Sequence, residues 1–177
     1  MDEGLDTGDI LLKKTLPIRR RDTGGSIHDA LAAAAPVALA EALTLLKQGR
    51  ALRQKQDAAL ATYAPKLTRE NGAIDWTATQ EQIDRRIRAM NPWPGAFTFL
   101  STAEGSRKLK VFACIQHSRK IGEPGTVVRA DKHGLLVAAG QGGVLLREVQ
   151  IEGKKRMNAK DFLMGTLVAP GVVLGSE

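Results

Sequence analysis

The chain has 177 residues, enough for one ordinary domain or for a small domain carrying a piece of another. Its 43% of hydrophobic residues can build a core, which excludes wholesale disorder. Its 4% of aromatics does not suit the stacking of bases on several rings, as RNA-recognition motifs do. The formal charge of +7 is unevenly placed, with 17 basic against 11 acidic residues from Lys66 onward and 9 against 8 before it. Such a surplus suits a polyanionic partner, and equally an ordinary solvated surface. Cys114 stands alone in a strand-like run, so no disulfide framework is possible, and it reads as a buried structural thiol. The opening MDEGLDTGDI lacks the charged and apolar regions of a secretory signal. The longest apolar stretch, Ala30–Ala40, contains Pro36 and is too short to span a bilayer. A cytoplasmic protein with no membrane partner is expected.

Taken in chain order, Ile10–Leu12 and Thr15–Ile18 predict a strand, and Arg19–Gly25 a charged turn. Ser26, with Asp29 three residues on, predicts a helix cap and a first-turn acid. Ile27, Leu31, Ala34, Ala38, Leu39, Ala42, Leu45 and Leu46 then recur at helical spacing up to Gly49. A lone strand and helix cannot bury both apolar faces, so this third of the chain reads as the end of something larger. Arg50–Asp57 is a polar, basic linker candidate. Thr79 predicts the cap of a second helix, Gln80–Met90, which places Ile83, Ile87 and Met90 on one face and stops at Asn91-Pro92.

Beyond Gly95 the pattern changes to short strands: Phe97–Leu100, Leu109–Ile115, Thr126–Ala130, Leu135–Ala139, Val144–Ile151 and a late piece near Val172–Leu174. Turn signals separate them at Glu104-Gly105, Pro124-Gly125, His133-Gly134 and Gly140–Gly143. The last is a hairpin turn and no phosphate loop, since neither Lys-Ser/Thr nor a helix follows. Asn158 opens a short helix to Met164. This succession suggests a small barrel of the oligonucleotide-binding type.

Three features could carry chemistry. Met1–Asp9 holds four carboxylates, Asp2, Glu3, Asp6 and Asp9, on a Gly-containing loop; a carboxylate there can orient an imidazole or a water, or be a plain acidic turn. Asn91–Phe97 (NPWPGAF) reads as a packed corner, with Trp93 as its anchoring surface. Basic residues fall into runs: Arg85, Arg86 and Arg88; Arg107, Lys108 and Lys110; Lys154, Lys155 and Arg156; with Lys66 and Arg69 at the interdomain crossing. Contacts from them would be to phosphates, giving affinity but little sequence readout. His28, His117 and His133 are scattered and make no metal site.

Met1–Gly8 (MDEGLDTG), Leu60–Leu67 (LATYAPKL), Ile74–Trp76 (IDW), Asn91–Phe97 (NPWPGAF) and Gly153–Met157 (GKKRM) together resemble the methionyl-tRNA formyltransferase family, over nearly the whole chain. The resemblance implies an α/β remnant, the strand-helix end of a Rossmann-like formyltransferase domain, over residues 1–50. A linker over 51–66 and an OB-like β-barrel with helices over 67–177 would follow. It implies transfer of a formyl group from 10-formyltetrahydrofolate, without a metal, to the amino group of methionyl-initiator-tRNA. Asp6 would be the aspartate of the family's Asn, His, Asp set, and Glu3, Gly4 and Leu5 the backbone loop near the pteridine. The basic runs would face tRNA.

The family's Asn-x-His segment and its Ser-Leu-Leu-Pro folate loop do not occur in these 177 residues, so this polypeptide by itself is expected to be inert. A monomer is expected, with association through the exposed N-terminal remnant. The competing readings are a non-catalytic RNA-binding module and another folate-dependent formyltransferase, such as the type acting on amino-sugar nucleotides. That type lacks a basic RNA-facing barrel.

Overall fold

The computed structural model describes residues 3–4, 6–102 and 105–175. The chain divides into two compact units, residues 1–22 with 26–66, and residues 23–25 with 67–177.

The first unit is dominated by α1, Gly24–Lys47. The helix starts before Ser26, which lies inside it; the Ser26 hydroxyl donates back to Asp22 at 3.4 Å. Asp29 therefore falls beyond the first turn, which holds no acid, and the expected cap is corrected. The stop is where Gly49 predicts it. Gly49 adopts φ +67°, its N–H bonds to Leu46 O at 3.0 Å and that of Arg50 to Leu45 O at 2.9 Å, so a left-handed residue closes the last turn. None of the helix is buried, and Leu31, Val37, Leu39 and Leu43 are all more than half exposed. Pro36 lies within the helix without ending it, so α1 is longer than the Ala30–Ala40 stretch. By length and composition alone it is long and apolar enough to cross a membrane, which corrects the sequence reading.

The expected strand over 10–18 does not form. Only Ile10 pairs, in a two-bond antiparallel bridge with Gln54 at 2.9 and 3.0 Å. A strand is a pairing rather than a local conformation, and the apolar pattern supplies no partner.

The second unit is built on one curled antiparallel sheet. Its strands are β1 Ala96–Thr102, β2 Gly105–His117, β3 Val127–Asp131, β4 Gly134–Ala138, β5 Gly143–Ile151 and β6 Met157–Asn158. The order is β1-β2-β5-β4-β3, with β6 on β5. All five long strands lie at the expected places, because alternating apolar residues between glycine turns are a local signal. Close backbone approach requires glycine at several positions, Gly134 and Gly140 among them. A Cβ on Gly134 would sit 2.4 Å from Leu146 O, and one on Gly140 1.8 Å from Thr77 O. β2 carries a bulge between Val111 and Cys114, which bends the longest strand. The expected late strand is a single bridge, Val173 to Thr126. The segment around it joins both sheet edges: Val127 N–H bonds to Val172 O at 2.7 Å, and Gly175 N–H to Phe99 O on β1 at 3.1 Å.

Helix α2, Gln80–Ala89, begins with a reciprocal cap: Gln82 N–H bonds to Thr79 Oγ1 at 3.2 Å and Thr79 N–H to Gln82 Oε1 at 3.0 Å. Its apolar face buries Ile83 and Ile87 in the core with Leu100, Leu109, Val111, Val144 and Val149. Helix α3, Ala159–Gly165, buries Ala159 and Phe162; Asn158 precedes it but makes no capping bond. Trp76 closes the core. It is 5% exposed, and its indole N–H donates to Thr98 Oγ1 at 3.0 Å, Thr98 being 2% exposed. The anchor expected at Trp93 is thus corrected, since Trp93 is 57% exposed. The parallel bridge of Ala73 to Phe97 is what carries the Trp76 segment over β1.

Candidate acidic loop and basic surface

The acidic loop belongs to the first unit. Asp6 is exposed and has φ +56°, a left-handed conformation that Asp tolerates better than most residues. Glu3 and Gly4 are exposed beside it, while Leu5 lies outside the described residues. The turn is tight, for a Cβ on Gly4 would meet Thr7 Oγ1 at 2.6 Å. A cleft of about 400 Å³ opens here, lined by Asp6, Thr7, Ile10 and Lys13 on one wall and by residues of 54–61 on the other. Gln56 Nε2 donates to both Asp6 O and Gly8 O at 2.7 Å. Gln56 lies in the stretch that composition marks only as linker. No local signal reveals it, because its bonds span 50 and 48 residues.

The basic residues separate into two sets. Arg85 pairs with Glu81 at 2.6 Å and Arg88 with Asp84 at 3.1 Å, both at helical i,i+4 spacing. Arg86 donates to Asn71 O at 2.7 Å, holding the short turn Glu70–Gly72. Arg107 donates to Glu152 O at 2.6 Å. Arg156 makes a two-pronged fork on Glu148, at 2.6 and 2.7 Å, and lies 4.2 Å from the Phe112 ring. These guanidinium groups are engaged by partners within the second unit. Glu81–Arg85 and Asp84–Arg88 could have been read from their spacing.

Lys108, Lys110, Lys154 and Lys155 enter no ion pair among the described residues. Lys108 lies 4.4 Å over Phe97 and 5.6 Å over Phe99, two half-buried rings in edge contact at 5.7 Å. Lys108 and Lys110 share an open cleft with Gln150, Glu152 and Gly153, and the Gln150 amide donates to Lys154 O at 2.8 Å. The β2 run and the turn after β5 are therefore neighbours, although Lys154 itself lines a separate cleft with Arg107, Met157 and Asp161. Arg69 is exposed and helps hold the neighbouring Glu70 carboxyl down; the largest cause of that lowering is the Thr68 side chain, and Lys108 also contributes. Lys66 is exposed in the first unit.

The Arg156 fork lowers the Glu148 carboxyl below its ordinary 4.5, chiefly by hydrogen bonding. Its stabilisation is therefore complete above that value and disappears as pH falls through the lowered folded value. Because the pair is partly solvated, Glu148→Gln is expected to cost only about 0.2–1 kcal/mol near neutral pH. Urea midpoints of the two proteins should converge as the carboxylates protonate. Cys114 is partly buried and bonds to Asp84 Oδ1 at 3.6 Å; burial first, then the Asp84 charge, pushes its thiol well up. It is a packing thiol.

A curled antiparallel sheet with a lysine face and a capped helix across it defines the class of the second unit. Residues 66–167 match the formyl transferase C-terminal domain. The chain belongs to that family. It is 48% identical over 178 residues to the methionyl-tRNA formyltransferase of Methylacidiphilum infernorum, covering 100% of this chain and 56% of that protein. The corresponding protein of Geotalea uraniireducens is 45% identical over 177 residues, with 100% and 55% covered. The chain thus spans about half the length of the curated relatives it matches. In fold it is similar to HypX from Aquifex aeolicus in complex with tetrahydrofolic acid, with a TM-score of 0.60 and 20% identity, over 92% of this chain and 28% of that one.

Proposed function

We propose that the chain serves a methionyl-tRNA formyltransferase, in which formyl passes from 10-formyltetrahydrofolate to the amino group of methionine on initiator tRNA. One observation carries the reading: the similarity runs through the whole chain, acidic loop and lysine-faced sheet alike. In this reading residues 1–50 are the end of a Rossmann-like catalytic domain, 51–66 a connection and 67–177 an OB-like barrel. The protein works in the cytoplasm, without a metal.

When bound, the folate supplies the formyl group. Asp6 is suited to a site beside it, since its carboxylate is exposed at an open cleft. Glu3, Gly4 and Leu5 would offer backbone to the pteridine. Asp6 would orient an imidazole and favour its protonated form. Its partners, an Asn and a His, belong to the Asn-x-His segment that these 177 residues do not contain. Lys66, Arg69, Lys108, Lys110, Lys154 and Lys155 would hold tRNA phosphates, and Arg85, Arg86, Arg88 and Arg156 would contribute less to them, being engaged by carboxylates or carbonyls. The bare apolar side of α1 would pack against the rest of the catalytic domain. Left uncovered, it would drive association of an otherwise monomeric chain.

The test joins this chain to the part of the Methylacidiphilum infernorum relative that it does not span. The completed protein should formylate methionyl-tRNA, whereas the 177-residue polypeptide should bind tRNA without formylating it. A completed, folded protein that binds tRNA but transfers no formyl would leave an RNA-binding module. Transfer to an amino-sugar nucleotide instead would indicate the other folate-dependent class.

A further inference from the structure

We infer that Gln56 is a positioning residue for the Asp6 carboxylate, so that the stretch after α1 is part of the reaction site rather than a passive linker. This rests on the reading of Asp6 as the reaction's aspartate. Asp6 has a left-handed backbone, a conformation that Asp tolerates at a small cost and that neighbouring bonds can hold in place. What fixes it is visible. Gln56 Nε2 donates at 2.7 Å to the carbonyl of Asp6 itself and at 2.7 Å to that of Gly8, gripping the loop on both sides of Thr7. Two residues earlier, Gln54 and Ile10 exchange both backbone bonds, which sets Gln56 opposite the loop. Asp57 then accepts from Ala59 N–H at 2.9 Å and turns the chain, and residues 54–61 form the far wall of the Asp6 cleft. The Gln56 amide thus holds the backbone from which the Asp6 side chain leaves.

The test uses the completed enzyme described above. Gln56→Leu keeps the bulk and removes the donor, and should lower kcat about 10- to 100-fold through misplacement, with KM for tRNA unchanged. In an Asp6→Asn background the same change should cost nothing further, because both act through one carboxylate. Gln56→Glu supplies a pH readout. Its ionised carboxylate repels the two carbonyls, whereas its protonated form regains one donor, so its kcat relative to the native enzyme should rise as pH falls.

If Gln56→Leu fails to fold, the Gln56→Glu series decides alone. Native kcat in Gln56→Leu, losses that add fully to those of Asp6→Asn, or a Gln56→Glu ratio flat with pH would each overturn the inference. Asp6→Asn with native turnover is a different failure, for it removes the reading of Asp6 on which the inference stands.

Discussion

Asp6→Asn in the completed enzyme is expected to lower kcat by about 10²- to 10⁴-fold, the usual range for a lost acid-base contribution. Asn keeps the size and the tolerance for a left-handed backbone, so the loop held by Gln56 should persist. What disappears is the charge that would favour a protonated imidazole. Stability should change by no more than about 0.5 kcal/mol, because the side chain is exposed. Single-turnover kinetics, with folate binding measured separately, checks this. Native turnover with native folate binding would show that Asp6 is not the reaction's aspartate.

The largest stability effect is expected at Trp76. Trp76→Ala opens a cavity beneath the 73–78 segment and should cost about 3–5 kcal/mol. Thr98→Val is nearly isosteric and leaves the indole N–H unpaired, for about 1–3 kcal/mol. Trp93, more than half exposed, should tolerate Trp93→Ala with far less loss. Urea unfolding followed by far-UV circular dichroism would rank the three. Equal losses at Trp76 and Trp93 would contradict the assignment of the anchor.

That pair of tryptophans shows what the sequence carries and what it does not. Both lie in short, proline- or turn-flanked segments, and nothing local distinguishes them. Burial is decided by pairing at a distance, the bridge of Ala73 to Phe97. The strands of the second unit and the Thr79 cap are legible because alternation, glycine turns and a capping Thr ahead of an apolar helical face are local facts. The strand expected over 10–18 was not, since its pattern is apolar but only Ile10 finds a partner. The acidic loop around Asp6 stands out by its carboxylates and its resemblance, whereas the bonds of Gln56 to it span 50 and 48 residues and leave no local trace. Among the basic residues, charge counting treated all alike. The structure separates arginines engaged with carboxylates and carbonyls from lysines that enter no ion pair among the described residues.

That separation is tested most directly by titrating the 177-residue polypeptide with tRNA across a range of salt, by fluorescence anisotropy. Lys110→Ala, Lys154→Ala and Lys155→Ala together should weaken binding and flatten the dependence of log K on log salt by about 0.7–0.9 for each phosphate no longer neutralised. Arg156→Ala should mainly lower the unfolding midpoint and leave that slope nearly unchanged, because its guanidinium is engaged by Glu148. A native slope in the triple lysine variant, or a larger fall in slope from Arg156→Ala, would contradict the proposal that these lysines hold the nucleic acid.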